Sequence, residues 1–244
     1  MGSGSASTFS QTLPPIALTV AHRLVPHRVS ACEANEDLVL RFQRIARAML
    51  TAIDQPETNV SPATSPLAVH CADMARNNAW SNARLYRACL ALSDDAFAAT
   101  RVSFFPSLQL TLNHILLVDR YYIDALVDGG AGLTIFDEEV PYPRAADLWP
   151  AQQESDRRLI AFCDALDSDA ALQREVHIDR GPGVGITHET VGAVLPHLFV
   201  HQIHHRGQVH AMLSGTSVAP PQLDEFFLRF DAPSRARDAP YDAR

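Results

Sequence analysis

The sequence predicts an all-α protein, a four-helix bundle with long connections. Three observations carry that expectation. Four stretches of about 20 residues place apolar side chains at helical spacing, so each presents one stripe to a core. Each stretch is bounded by residues that start or stop helices. The segments between them run to roughly 14 to 20 residues, longer than a minimal up-and-down design needs.

The chain opens on MGSGSASTFSQTLPP, small and polar and ending in two prolines, as a disordered leader does. MGSGS itself reads as an expression scar. Residues 36–54 have helical character, with Glu36 and Asp37 leading, Arg41, Arg44 and Arg47 following, and Leu38, Ile45, Met49 and Ile53 among the apolar positions. QPETNVSPATSP then reads as a linker. This divides the chain into an N-terminal extension over 1–70, a bundle over 71–230 and a tail over 231–244.

The first bundle helix is expected over 72–92 and the second over 108–127, capped by Ser107 and stopped by Gly129 and Gly130. The third is expected over 145–166, with Pro150 near its first turns, where proline is tolerated. The fourth is expected over 188–214, between Thr187 as N-cap and Gly215 as stop. Pro196 lies inside it, leaves the Gly192 carbonyl without its helical hydrogen bond and predicts a kink. Ahead of this helix, REVHIDR and GVGIT flank Gly181-Pro182-Gly183, the pattern of a small β-hairpin.

Composition narrows the function classes. The formal charge is −8 and the pI about 5.7, without the basic footprint of a nucleic-acid binder or of a protein drawn to anionic lipid. The longest apolar runs, such as ILLV, fall far short of a membrane span. Cys32, Cys71, Cys89 and Cys163 form no CxxC pair and read as free or buried thiols of a reducing compartment. No secretory signal is legible, so a cytoplasmic location is expected.

The chemistry concentrates in HLFVHQIHHRGQVH, which holds five of the eleven histidines. Residues four apart on a helix share a face. The spacing admits two pairs, His197/His201 and His201/His205, and does not choose between them. His114, among apolar neighbours in LNHILLVD, supplies a histidine from another helix. Bundles build metal sites from facing helices. Set opposite the His201/His205 pair, His114 would give three nitrogens, the number that leaves a catalytic ion an open position.

Three segments together resemble the DinB/YfiT-like metalloprotein family. HQIHHRGQVHAMLSGTSVAPPQLD is similar to that family's last helix, RNNAWSNARLYRACLALSDDAF to its first, and FPSLQLTLNHILLVDRYYIDAL to its second. The resemblance covers roughly 72–230 and implies a four-helix bundle holding a divalent metal. Matched residue by residue, the ligands it implies are His114, His201 and His205. It places His204 outside the ligand set. Val200 departs from the pattern, since many relatives carry a polar residue there.

Two neighbours are candidate catalytic residues. Tyr121 is nearly two turns after His114 and shares its face. Gln208, three after His205, is placed to hydrogen-bond a ligand or a water. Arg206 points away from His205 and is expected to pair with Asp119 on a neighbouring helix, first as a register device. Trp80 and Asn82 match the first-helix pattern, Trp80 as core. The chain has no HExxH and no GxSxG, and GPGVG over 181–185 lacks the lysine of a phosphate loop.

These readings predict a metal-dependent enzyme whose ion acts as a Lewis acid on a thiol or water. Zinc or nickel is expected first, with iron or manganese next. By resemblance to thiol-dependent transferases and isomerases of the wider superfamily, transfer of a low-molecular-weight thiol to a small electrophile comes before metal-assisted hydrolysis. The expected partners are a small-molecule substrate and a second copy in a homodimer, with neither nucleic acid nor membrane. The competing class is a non-catalytic metal-binding bundle of a stress or damage response that works by association. A third reading keeps the histidines metal-free in a polar core.

Overall fold

The computed structural model describes residues 65–237. The expected leader, the helix over 36–54, the linker up to residue 64 and Cys32 lie outside the described residues.

Helix α1 (Pro66–Cys89) begins before the expected position. The Ser65 hydroxyl accepts from the Ala68 N–H at 3.4 Å, and Pro66 takes the first helical position, where a missing N–H costs nothing. A serine-proline pair that reads as linker is therefore the start signal. The helix ends at Cys89, short of the expected residue 92, because Ser93 caps the Ala96 N–H at 3.2 Å and opens a separate short helix, α2 (Asp94–Ala98).

Helix α3 (Leu108–Leu126) starts as expected, with the Ser107 hydroxyl accepting from the Leu110 N–H at 3.0 Å. Its stop differs in detail. Asp128, not a glycine, takes the left-handed conformation with φ 54°, one of the few side chains that tolerates it. The Gly129 N–H then returns to the Asp124 carbonyl at 2.9 Å. A Cβ on Gly129 would run into the Asp124 carboxylate, which would have to move aside.

After a 3-10 turn (Gly132–Phe136) comes α4 (Ala145–Asp164), which continues through Pro150. Its buried side chains, Ala145, Leu148, Gln152, Ser155, Asp156, Leu159 and Cys163, follow a three-four spacing. A second short helix, α5 (Asp169–Gln173), is capped by Ser168. Strands β1 (Glu175–Asp179) and β2 (Ile186–Thr190) form the expected antiparallel hairpin, with His177 opposite His188. Gly181 and Gly185 take positive φ in its turn.

The last long helix, α6, spans Val191–Leu213. Residues expected as its first turn, from His188 onward, belong to β2 instead. Thr187, expected as N-cap, pairs with Ile178 and donates its hydroxyl to that residue's carbonyl at 3.4 Å. The ladder to β1 commits the backbone there before a helix can begin. Pro196 lies inside α6 without ending it. A last short helix, α7 (Ala232–Arg237), follows a 3-10 turn (Arg229–Asp231).

Packing is closest between α1 and α4 and between α3 and α6. The core has two apolar halves, one around Tyr122, Leu126, Leu159 and Leu198, the other around Leu85, Leu112, Leu148 and Val209. Between them all four long helices turn polar inward, each at the same level. Asn78 and Asn82 come from α1, Asp119 from α3, Gln152 and Asp156 from α4, and Gln202 and Arg206 from α6, and all are buried. Asp156 Oδ1 accepts from Asn78 at 3.0 Å, Asn82 at 2.9 Å and Gln152 at 3.1 Å. Asp119 accepts from Gln152 and from Gln202, each at 2.8 Å.

The expected Arg206–Asp119 pair is therefore indirect. Gln152 and Gln202 take one oxygen of Asp119 each, and Arg206 donates to Asn78 Oδ1. Burial pushes the Asp119 carboxyl up to about 6 and that of Asp156 to about 7, and pushes Arg206 down to about 10, with the opposite charges pulling each back partway.

Candidate metal centre

His114 falls on α3 at the level of the polar belt, between Leu112 of one apolar half and Val118 of the other. His201 and His205 occupy the same level of α6, flanking buried Gln202. The helices thus bring two stretches of sequence together at a height where the core is already polar. The three imidazoles meet there. Their ring centroids are separated by 5.1 Å (His114 to His201), 4.6 Å (His114 to His205) and 4.4 Å (His201 to His205). One nitrogen from each lies within 4.8 Å of the others.

The donor set fits a divalent cation. His114 Nε2 and His201 Nε2 face one another at 3.1 Å. Nitrogens bound at about 2.0–2.1 Å in a tetrahedron stand about 3.3 Å apart, so little movement would seat a common ion. Burial holds His114 down to about 4 and His201 to about 3, with the His205 ring adding to both, and His205 is lowered too. All three are neutral near pH 7, the form that binds metal.

Gln208 holds one of the three rings. Its Oε1 accepts from His205 Nδ1 at 2.9 Å. An amide oxygen only accepts, so the proton sits on Nδ1 and the Nε2 lone pair is left free. The other end of the same amide meets His204 Nε2 at 3.2 Å, which keeps His204 beside the site and outside the converging set.

Tyr121 is not brought to the three rings. Seven residues along a helix advance about 10 Å, so sharing a face with His114 is not sharing a site. Its hydroxyl donates to the Asp179 carbonyl, and its ring packs on Tyr122 and Phe136. His197 is likewise engaged elsewhere: Arg180 donates to the Tyr122 hydroxyl at 2.9 Å, and that hydroxyl meets His197 Nε2 at 3.0 Å. This chain of contacts borders a pocket of about 170 Å³ one helical turn from His201.

Phe105 was not among the expected site residues. It packs against His114, tilted, with ring centroids 4.2 Å apart and lies 5.5 Å from His205. Its position in the 93–106 connection, three residues after fully exposed Val102, gives no periodic signal to find it by. Trp80 is core, as expected, under the Arg84 guanidinium at 4.4 Å. Cys71, Cys89 and Cys163 are free and buried, and burial pushes the Cys89 thiol up to about 12, away from thiolate chemistry.

Among the described residues no helix is long and apolar enough to cross a membrane. The chain is 27% identical over 152 residues to Protein DinB of Bacillus subtilis (strain 168), a match covering 60% of this chain and 86% of that one. The family model described as "DinB family" matches residues 63–236, which takes in α1 through the hairpin and α6 and nearly all of α7. On that span, the chain belongs to the DinB family.

Proposed function

We propose that the protein is a divalent-metal-dependent enzyme that activates a low-molecular-weight thiol, or secondarily water, for reaction with a small molecule. The observation that carries this reading is the donor count. Three imidazole nitrogens from two helices converge within 4.8 Å, and the described structure brings no fourth histidine, cysteine or carboxylate into that group. Structural zinc sites close with four protein ligands, whereas three leave a position for a reactant.

A bound ion would supply Lewis acidity, making a thiol or water at its open position more acidic. The remaining work falls to the chain. His114, His201 and His205 would hold the ion as neutral donors. Gln208 fixes the His205 tautomer. Phe105, packed beside His114 and His205, would form an apolar wall of the site. Zinc and nickel suit three imidazoles best, and iron(II) or manganese follow.

The experiment loads the protein with cobalt(II) and adds cysteine as the thiol. A shift in the visible absorption and consumption of a small alkyl electrophile support the reading. Unchanged spectra with no electrophile consumed would move the function to a metal-binding bundle that works by association. Metal below about a tenth of an equivalent in protein prepared without a nickel column, with no thermal shift on adding zinc or nickel, would return the histidines to a metal-free polar core.

A further inference from the structure

The geometry points to a second divalent-cation site, on the outer face of the hairpin, made by Glu175, His177 and His188. Strand register brings these residues together. Glu175 and His177 are two apart on β1, so both project from its solvent face, while Val176 and Ile178 project into the core. His188 lies directly across from His177 on β2. Directly opposed residues put their Cβ atoms about 5 Å apart, close enough for two imidazoles to reach one ion.

The side chains converge on one point. Glu175 Oε1 lies 2.7 Å from His177 Nε2 and 3.0 Å from His188 Nδ1. The two rings stand 4.7 Å apart. One ligand atom from each of the three lies within 4.8 Å of the others, the same closeness as in the His114, His201 and His205 group. Asp179, Asp124 and Asp128 line the hollow on the far side of His177, adding negative potential around a cation.

Two imidazoles and one carboxylate select late first-row cations (copper, nickel or zinc) over calcium or magnesium, which prefer all-oxygen shells. The site differs from the helical one in exposure. The Glu175, His177 and His188 side chains are 61%, 59% and 60% exposed, so water competes for the ion and the remaining coordination positions are open. The helical site should fill first and the hairpin site at higher free metal.

The test is a nickel titration of the full-length protein, stripped with chelator and carrying no affinity tag, followed by calorimetry and equilibrium dialysis. Wild type should take up about two equivalents in two affinity classes. H177A/H188A should keep the tighter class and lose the weaker, with unchanged metal-free melting because both residues are solvent-facing. H114A/H201A/H205A should do the reverse, which separates failure of this site from failure of the proposed enzyme site. Copper(II) added beyond the first equivalent to unmutated protein should broaden the ring resonances of His177 and His188 together, a readout that needs no variant to fold. A single wild-type class that survives H177A/H188A, a weaker class that survives it, or ring resonances that stay sharp throughout the titration would each overturn the assignment.

Discussion

His114 and His201 stand 87 residues apart in the chain, yet their Nε2 atoms face each other at 3.1 Å across the α3–α6 interface. Without an ion, one ring can donate to the other at that distance. With both nitrogens deprotonated the same apposition would seat a cation, and the expected behaviour of the site follows from that proposal.

Removing any one of the three rings should remove most metal. H114A, H201A and H205A each leave two donors and are expected to lose stoichiometric zinc or nickel on dialysis, measured by elemental analysis. Full retention in the H114A protein would place the ion on α6 alone, at His197, His201 and His205.

Gln208 contacts His205 and His204 and stands outside the proposed ligand set. Q208A frees His205 Nδ1 and allows the wrong tautomer, so metal affinity should fall by about 10–100-fold, the usual effect of losing a ligand's hydrogen-bond partner. Q208E, which still accepts from Nδ1, should restore it. Competition with a chromophoric chelator measures both.

Metal affinity should resist acid. His114 and His201 are held below their ordinary 6.5, so protons begin to compete only as pH approaches about 4. Affinity is expected to stay nearly level from pH 8 through 6, then fall. A steep loss beginning near 6.5 would mean solvated imidazoles and no preformed site.

The polar belt predicts a pH-dependent gain from D156N. Asp156 has its pKa raised from 3.8 to about 7, so its folded state favours the protonated form. Such a group stabilises fully below its unfolded pKa, and that contribution is lost as pH rises through the folded value. Asn keeps the acceptor used by Asn78, Asn82 and Gln152 and leaves Asp119 to balance Arg206. D156N should be more stable than wild type by on the order of 1–3 kcal/mol at pH 8, with the gain shrinking toward pH 4. The histidines act oppositely: their lowered pKa values give stability that is present above 6.5 and lost as pH falls toward about 4. Urea melts of metal-free protein across pH 4–8 should therefore show the slope of the histidines unmasked in D156N.

Tyr121 spends its hydroxyl on the hairpin. Y121F should cost about 1 kcal/mol, the ordinary net worth of one hydrogen bond, and leave the cobalt spectrum and its response to thiol unchanged. A lost thiol response with metal retained would restore Tyr121 to the reaction.

The sequence by itself determined the four long helices, their caps at Ser107 and near Gly215, the hairpin and the histidine stripe. All of these are local: a serine hydroxyl reaches an N–H three residues on, and apolar spacing repeats within one element. The ligand set needed more, because His197/His201 and His201/His205 are equivalent on a wheel and only the resemblance favoured the second. Tertiary structure decided where α6 begins, since the pairing of Thr187 through Thr190 with β1 overrides a helix start that the local sequence permits. It decided that Gln152 and Gln202 bond Asp119 while Arg206 bonds Asn78, that Phe105 packs on His114, and that Glu175 meets His177 and His188. Those outcomes depend on which helix or strand lies alongside, and side-chain spacing within one segment carries no information about its neighbour.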